Sequence, residues 1–202
     1  MTIDVGTGDG RAILAAAARE PTTLAIGLDA DAASMAESSR RAERRPGRPR
    51  RGGLENALFV VAAAESPPVE LKGLAAGVTV TFPWGSLLRG CLGTDPAVAA
   101  GISALVAPAG TLALLLAPAE RDGLRAIPTR VDEVIGAARS AFESAGLVFV
   151  VGRPASAEEI RASRSTWARR LLASPSRTAD EDDRRAVLVR FRCPASRGPS
   201  RG

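Results

Sequence analysis

Residues 4–10 read Asp-Val-Gly-Thr-Gly-Asp-Gly, between a short strand-like segment, Thr2–Val5, and an alanine-rich, helix-favouring stretch, Arg11–Glu20. No other feature constrains the fold as much, because glycines let a chain turn sharply off a strand and let a ligand approach its backbone. The alternation then continues. Strands are predicted at Leu24–Leu28, Ala57–Ala62, Val78–Phe82, Thr111–Ala117, Leu147–Val151 and Ala186–Arg192. Helices are predicted at Asp31–Arg44, at Asp132–Ala145 with Gly146 closing it, and over most of Ala157–Leu172. Seven strands interleaved with helices specify an α/β fold, an open sheet with helices on both faces. Residues 1–193 are expected to form one domain, while the Pro-, Gly-, Ser- and Arg-rich residues 194–202 form a disordered tail. Such sheets bind ligands beyond the carboxyl ends of their strands, so the residues just after each strand carry the functional information.

Composition removes several chemistries. The chain has 202 residues and no histidine, which excludes Ser-His-Asp hydrolysis, Cys-His proteolysis and histidine-ligated metals. Its two cysteines, Cys91 and Cys193, form no CxxC pair and build no disulfide framework, which favours a reducing compartment. The opening residues lack the basic and apolar regions of a signal peptide, and no apolar run approaches the ~18 residues of a membrane span. A soluble, cytoplasmic protein is expected, with no membrane partner. Lys+Arg outnumber Asp+Glu by 27 to 22, giving a net charge of +5 that suits an anionic partner. All but one of these cations are arginines, which a GC-rich genome would also write, so their clustering matters more than their number. The densest cluster is the proline-broken linker Arg44–Arg51, with Arg44, Arg45, Arg48, Arg50 and Arg51.

The glycine loop has the spacing GxGxG over Gly6, Gly8 and Gly10, and the position where a dinucleotide fingerprint needs its third glycine is Arg11. Asp4 and Asp9 place negative charge where a pyrophosphate would lie, and no GK[ST] follows, so phosphate cradles are disfavoured. A cationic ligand fits better. S-adenosylmethionine satisfies these constraints: its amino group wants a carboxylate, and its ribose diol wants an acid at the end of the second strand, where Asp29 stands. The third strand runs into Ala63-Ala64-Glu65, where Ala63 can pack on adenine and a polar group nearby can read its edge. No metal is called for.

Five phenylalanines lie in apolar or alternating segments and read as core, whereas the two tryptophans do not. Trp84 follows the fourth strand in Pro83-Trp-Gly-Ser-Leu-Leu-Arg-Gly90, and Trp167 lies in Ser163-Arg-Ser-Thr-Trp-Ala-Arg-Arg170. Either one alone could pack at a helix–sheet seam, but two in Gly- and Arg-rich surroundings suggest a pair that stacks on a nucleobase.

Five blocks in order carry a specific resemblance: Asp4–Gly10, Leu28-Asp-Ala-Asp31, Gly52-Gly-Leu-x-Asn56, Pro83–Gly90 and Ser165-Thr-Trp-Ala-Arg-Arg-Leu171. Over nearly its whole length the chain resembles the aminoglycoside-resistance 16S rRNA methyltransferases of the kanamycin–apramycin type. The resemblance implies the class I, Rossmann-like methyltransferase sheet and S-adenosylmethionine as methyl donor. It also implies methylation of N1 of an adenine in the decoding site, in helix 44 of the 30S subunit, by a monomer. By position, Asp4, Gly6, Asp29, Ala63, Glu65 and Ser86 match the cofactor pocket, with Gly8 in the same loop and Thr81 at a further pocket position. Trp84 and Trp167 match the tryptophans that sandwich a flipped adenine, and Ser165 matches a hydroxyl beside them. Arg169 would lie near the active site, Arg170 and Arg177 match residues that grip rRNA, and Arg44–Arg51 matches the loop that docks on the 30S surface. Two departures stand out: the chain starts almost at the glycine loop, where relatives carry a β-hairpin first, and Pro175 replaces an arginine. The chemistry needs no histidine, since N1 of neutral adenine attacks with its own lone pair and no proton must first leave. Methylation of another RNA (a tRNA guanine) or of a small molecule, or RNA binding or ribosome assembly without catalysis, are the alternative readings.

Overall fold

The computed structural model describes residues 1–44, 53–118, 127–163 and 186–195. Its strands are β1 (Thr2–Val5), β2 (Ala25–Asp29), β3 (Ala57–Val61), β4 (Ala75–Thr81), β5 (Val106–Leu116), β6 (Val148–Pro154) and β7 (Val187–Arg192). Its helices are α1 (Arg11–Arg19), α2 (Ala32–Ala42), α3 (Gly85–Cys91), α4 (Pro96–Leu105), α5 (Val131–Ser144) and α6 (Ala157–Ala162). The strands form one seven-stranded sheet in the order β3-β2-β1-β4-β5-β7-β6. β1 to β5 pair in parallel, and β7 runs antiparallel to both β5 and β6. The strand order reverses between β1 and β4, the switch point at which such sheets open a crevice for ligands.

Alternation along the strands builds the two faces. Ile3, Val5, Val78, Val80, Leu112, Leu114, Val189 and Phe191 point to one side and form the main core with Leu88 of α3, Ile102 and Leu105 of α4, and Val134, Ala138 and Phe142 of α5. On the other side Ile13 and Ala17 of α1 pack with Ala25 and Phe59, and Ile160 of α6 packs with Phe82 and Leu115. Between those two clusters the strands turn Thr2, Asp4, Thr79 and Thr81 into a groove that α1, Ala162 and Ser163 border. The polar residues of Gly77-Val-Thr-Val-Thr81 therefore fall on one face of β4 by simple alternation.

Helices do cover both faces, as the alternation predicts. The two short helices α3 and α4 are additions to the sequence reading. The start of α4 was legible: Asp95 accepts a hydrogen bond from the Ala97 N–H as N-cap, and Pro96 occupies the first turn, where its missing N–H costs nothing. β5 begins at Val106 rather than Thr111, with a register shift against β4 between Ala75 and Gly77 that absorbs Pro108-Ala109-Gly110. α6 opens with a capping box of Ser156 and Glu159; the expected continuation toward Leu172 lies outside the described residues, as does most of the expected tail. Among the described residues no helix is long and apolar enough to cross a membrane.

Candidate active site

The glycine loop leaves β1 at the switch point and is fixed from below by β2. The Gly6 and Thr7 N–H groups donate to the Leu28 carbonyl at 2.7 and 3.2 Å, and the Gly8 N–H donates to Asp29 Oδ2 at 2.8 Å. Asp29 Oδ1 accepts the Asp31 N–H at 2.9 Å, so one carboxylate holds the loop and the start of α2 together. Each of its oxygens keeps a lone pair for a further donor. Gly6 and Gly8 adopt φ of 72° and 57°, the left-handed region that side chains disfavour. A Cβ at Gly6 would overlap Leu87 of α3, whereas one at Gly8 would meet nothing within 4 Å. The loop is thus closed on its α3 side and open above Gly8, where a ligand can lie on the backbone.

Asp4 stands beneath this loop at 8% exposure and accepts a 2.6 Å hydrogen bond from the Thr79 hydroxyl, its register partner on β4. Burial pushes its carboxyl up from 3.8 to about 6, against the opposing pull of the Thr79 hydroxyl, and the charge of Asp29 adds to the rise. The site therefore carries two acids on adjacent strands, a donor set for a cation and an unfavourable one for a pyrophosphate.

The exit of β4 forms the opposite wall. Phe82 has φ of 48°, a left-handed conformation for a bulky residue, and Gly85 follows at 59°. Such strain costs of order 1–3 kcal/mol and persists only where the surroundings over-determine it. Here the Phe82 N–H donates to the Leu115 carbonyl at 2.7 Å, and its side chain packs with Leu115, Ile160 and Ala186. The reversal throws Trp84 outward at 83% exposure, as the N-cap residue of α3. An indole that exposed contributes nothing to a core.

The remaining sequence-derived positions divide cleanly. Ala63 is half-buried and Glu65 exposed in the turn after β3, Thr81 ends β4, and Ser86 is exposed in the first turn of α3. With Asp4, Gly6, Gly8, Asp29 and Trp84 they ring the carboxyl ends of β1 to β4. Arg44, exposed after α2, lies 3.9 Å from Glu37. Arg45, Arg48, Arg50, Arg51, Ser165, Trp167, Arg169, Arg170 and Arg177 lie outside the described residues. Thr79 and Phe82 were missed as parts of the site. Thr79 could have been found by pairing the predicted strands, whereas the turn at Phe82 has no local signal, since the sequence offers glycine only three residues later.

Comparison with known proteins adds to this geometry. A family model for NpmA, 16S rRNA (adenine(1408)-N(1))-methyltransferase, matches residues 1–183. A 16S rRNA (adenine(1408)-N(1))-methyltransferase from Streptoalloteichus hindustanus is 35% identical over 185 residues, covering 88% of this chain and 82% of its own. Among solved structures, a tryptophan-to-alanine mutant of the corresponding enzyme from Catenulisporales acidiphilia, crystallised with its cosubstrate SAM, superposes with a TM-score of 0.80 at 29% identity. That match covers 98% of this chain and 87% of that one. The antibiotic-resistance methyltransferase Kmr superposes with a TM-score of 0.70 at 32% identity, covering 95% of this chain and 86% of its own. With the family model spanning the glycine loop, both acids and the Trp84 turn, the chain belongs to the NpmA family of 16S rRNA (adenine(1408)-N(1))-methyltransferases.

Proposed function

We propose that the protein methylates N1 of an adenine in the decoding site of 16S rRNA on the 30S subunit and thereby protects the ribosome from aminoglycosides. The observation that carries this reading is the pairing of an open glycine loop, held by Asp29 through the Gly8 N–H, with an outward-facing Trp84 on the next wall. The residues present suit S-adenosylmethionine: the free space above Gly8 fits a flat ligand on the backbone, and Asp4 and Asp29 suit its amino group and ribose diol. When bound, it supplies an electrophilic methyl group that a ring-nitrogen lone pair takes up without prior loss of a proton. Ala63 would line the adenine of that cofactor, with Glu65, Thr81 and Ser86 around the same pocket.

The chain's own residues then have to expose and orient the base. N1 lies on the pairing edge, so the adenine must leave its stack, at a cost of a few kcal/mol. Stacking on an indole returns ~1–3 kcal/mol per base, and Trp84 with Trp167 would supply both faces. The arginines at 44, 45, 48, 50, 51, 169, 170 and 177 would hold phosphates and fix the register on the subunit without reading sequence. Incubation with methyl-labelled S-adenosylmethionine tests the substrate: label enters 16S rRNA within 30S subunits, and tRNA stays unlabelled. Equal labelling of tRNA would favour the broader RNA methyltransferase reading.

Acidification offers a second test, of Asp4. Its carboxyl titrates near 6, so it is ionised above pH 7 and becomes neutral as the pH falls through 6. Only the ionised form attracts the cofactor's ammonium group. Affinity for S-adenosylhomocysteine, measured by calorimetry, should be flat above pH 7 and fall toward tenfold per unit below 6. Asp4→Asn should bind weakly at every pH and lose that dependence. Arg19 and Glu20, which also line the groove, pair with each other at 3.3 Å, which among the described residues leaves Asp29 as the charge acting on Asp4.

A further inference from the structure

Gly101 lies in the middle of α4, on the face turned to the connection that leaves β3. A Cβ there would overlap the Ala64 carbonyl oxygen and lie 3.1 Å from both the Ala64 and the Glu65 carbonyl carbons. The obstacle is backbone on both sides, so neither partner can swing aside as a side-chain tip would. The same connection is tied at further points. The Ala62 N–H donates to the Asp29 carbonyl at 3.0 Å, the Ser66 N–H to the Ala63 carbonyl at 3.1 Å, and the Gly73 N–H to the Ala104 carbonyl of α4 at 2.7 Å. Ala62 and Ala64 pack on the main core, which leaves Ala63 half-buried and Glu65 exposed on the turn. Ile102 and Leu105, fully buried, seat α4 on the sheet and leave it no room to back away.

From this close approach we infer that Gly101 is a positioning residue for the cofactor: the missing side chain lets α4 press the Ala63-Ala64-Glu65 turn to the depth at which it walls the adenine. The inference rests on the reading that this turn faces the cofactor's adenine. It concerns the cofactor alone, because nothing in this contact reaches Trp84.

Calorimetric titration of the full chain with S-adenosylhomocysteine and with its inosine analogue tests it. Gly101→Ala should weaken S-adenosylhomocysteine binding at least tenfold and narrow the preference for the adenine over the hypoxanthine form, with affinity for 30S subunits unchanged. Leu105→Ala, at a buried site on the same helix, should lower the melting temperature while keeping affinity within twofold and the base preference intact. Where Gly101→Ala alone does not fold, the pair Gly101→Ala with Ala64→Gly frees the turn to retreat; it should fold and still bind weakly. A folded variant of either kind that binds S-adenosylhomocysteine like the parent overturns the inference while leaving the cofactor reading intact. A parent protein that binds no S-adenosylhomocysteine overturns both, and loss of base preference in Leu105→Ala shows a merely structural effect and overturns the role of Gly101.

Discussion

Trp84→Ala is expected to lower kcat/KM on 30S subunits by ~10²-fold or more, from lost stacking together with lost orientation of the base. Affinity for S-adenosylhomocysteine and the melting temperature should stay close to those of the parent. The separation follows from geometry. The indole is 83% exposed and belongs to no core cluster among the described residues, so its removal leaves their packing intact. The turn that presents it is held by the Phe82 N–H and ring rather than by Trp84 itself. Trp84→Phe keeps an aromatic face of smaller area and should retain intermediate activity. Steady-state methylation of 30S subunits, alongside calorimetry and a thermal melt, reads all three quantities. A Trp84→Ala protein with full activity would remove the base-stacking role from this residue.

The second large effect concerns the cofactor. Asp29→Ala deletes the acceptor of both the Gly8 and the Asp31 N–H groups, along with the proposed partner of the ribose diol. Hydrogen bonds to a charged group contribute about 1.5–3 kcal/mol each. Losing the ribose contacts and loosening the loop should therefore weaken S-adenosylhomocysteine binding on the order of 10²–10³-fold. Asp29→Asn keeps one acceptor oxygen and should fall between the two. Here KM for S-adenosylmethionine should rise with KM for 30S unchanged, the reverse of the Trp84 pattern. Equal losses in both KM values would mean that Asp29 supports the whole fold rather than the cofactor crevice.

Much of this arrangement could be read from the chain because its signals are local. Asp4–Gly10 and Asp29 sit at the carboxyl ends of β1 and β2, and in an open sheet the carboxyl ends of parallel strands beside the switch point open on the crevice. The alternation in Gly77-Val-Thr-Val-Thr81 likewise fixes which residues face the groove. What escaped depends on contacts between distant segments. Thr79 joins the site only through the β1–β4 register that sets it opposite Asp4. Phe82 takes up its reversal because Leu115, Ile160 and Ala186, all far along the chain, hold it. Gly101 looks like one more small residue in an alanine-rich helix until the helix is laid on the turn after β3. α3 was hidden for another reason: Gly85-Ser-Leu-Leu-Arg-Gly-Cys91 contains two glycines, so its propensity is poor and packing of Leu88 and Cys91 into the core sustains it.

Transfer of a methyl group to N1 of the decoding-site adenine is read by primer extension. 30S subunits are incubated with the protein and S-adenosylmethionine, and reverse transcription is then run through helix 44. A methyl group on N1 blocks the pairing edge, so one strong stop is expected at that adenine, absent without S-adenosylmethionine and lost with Trp84→Ala. Read-through at the adenine, or a stop at a guanine in its place, would contradict it.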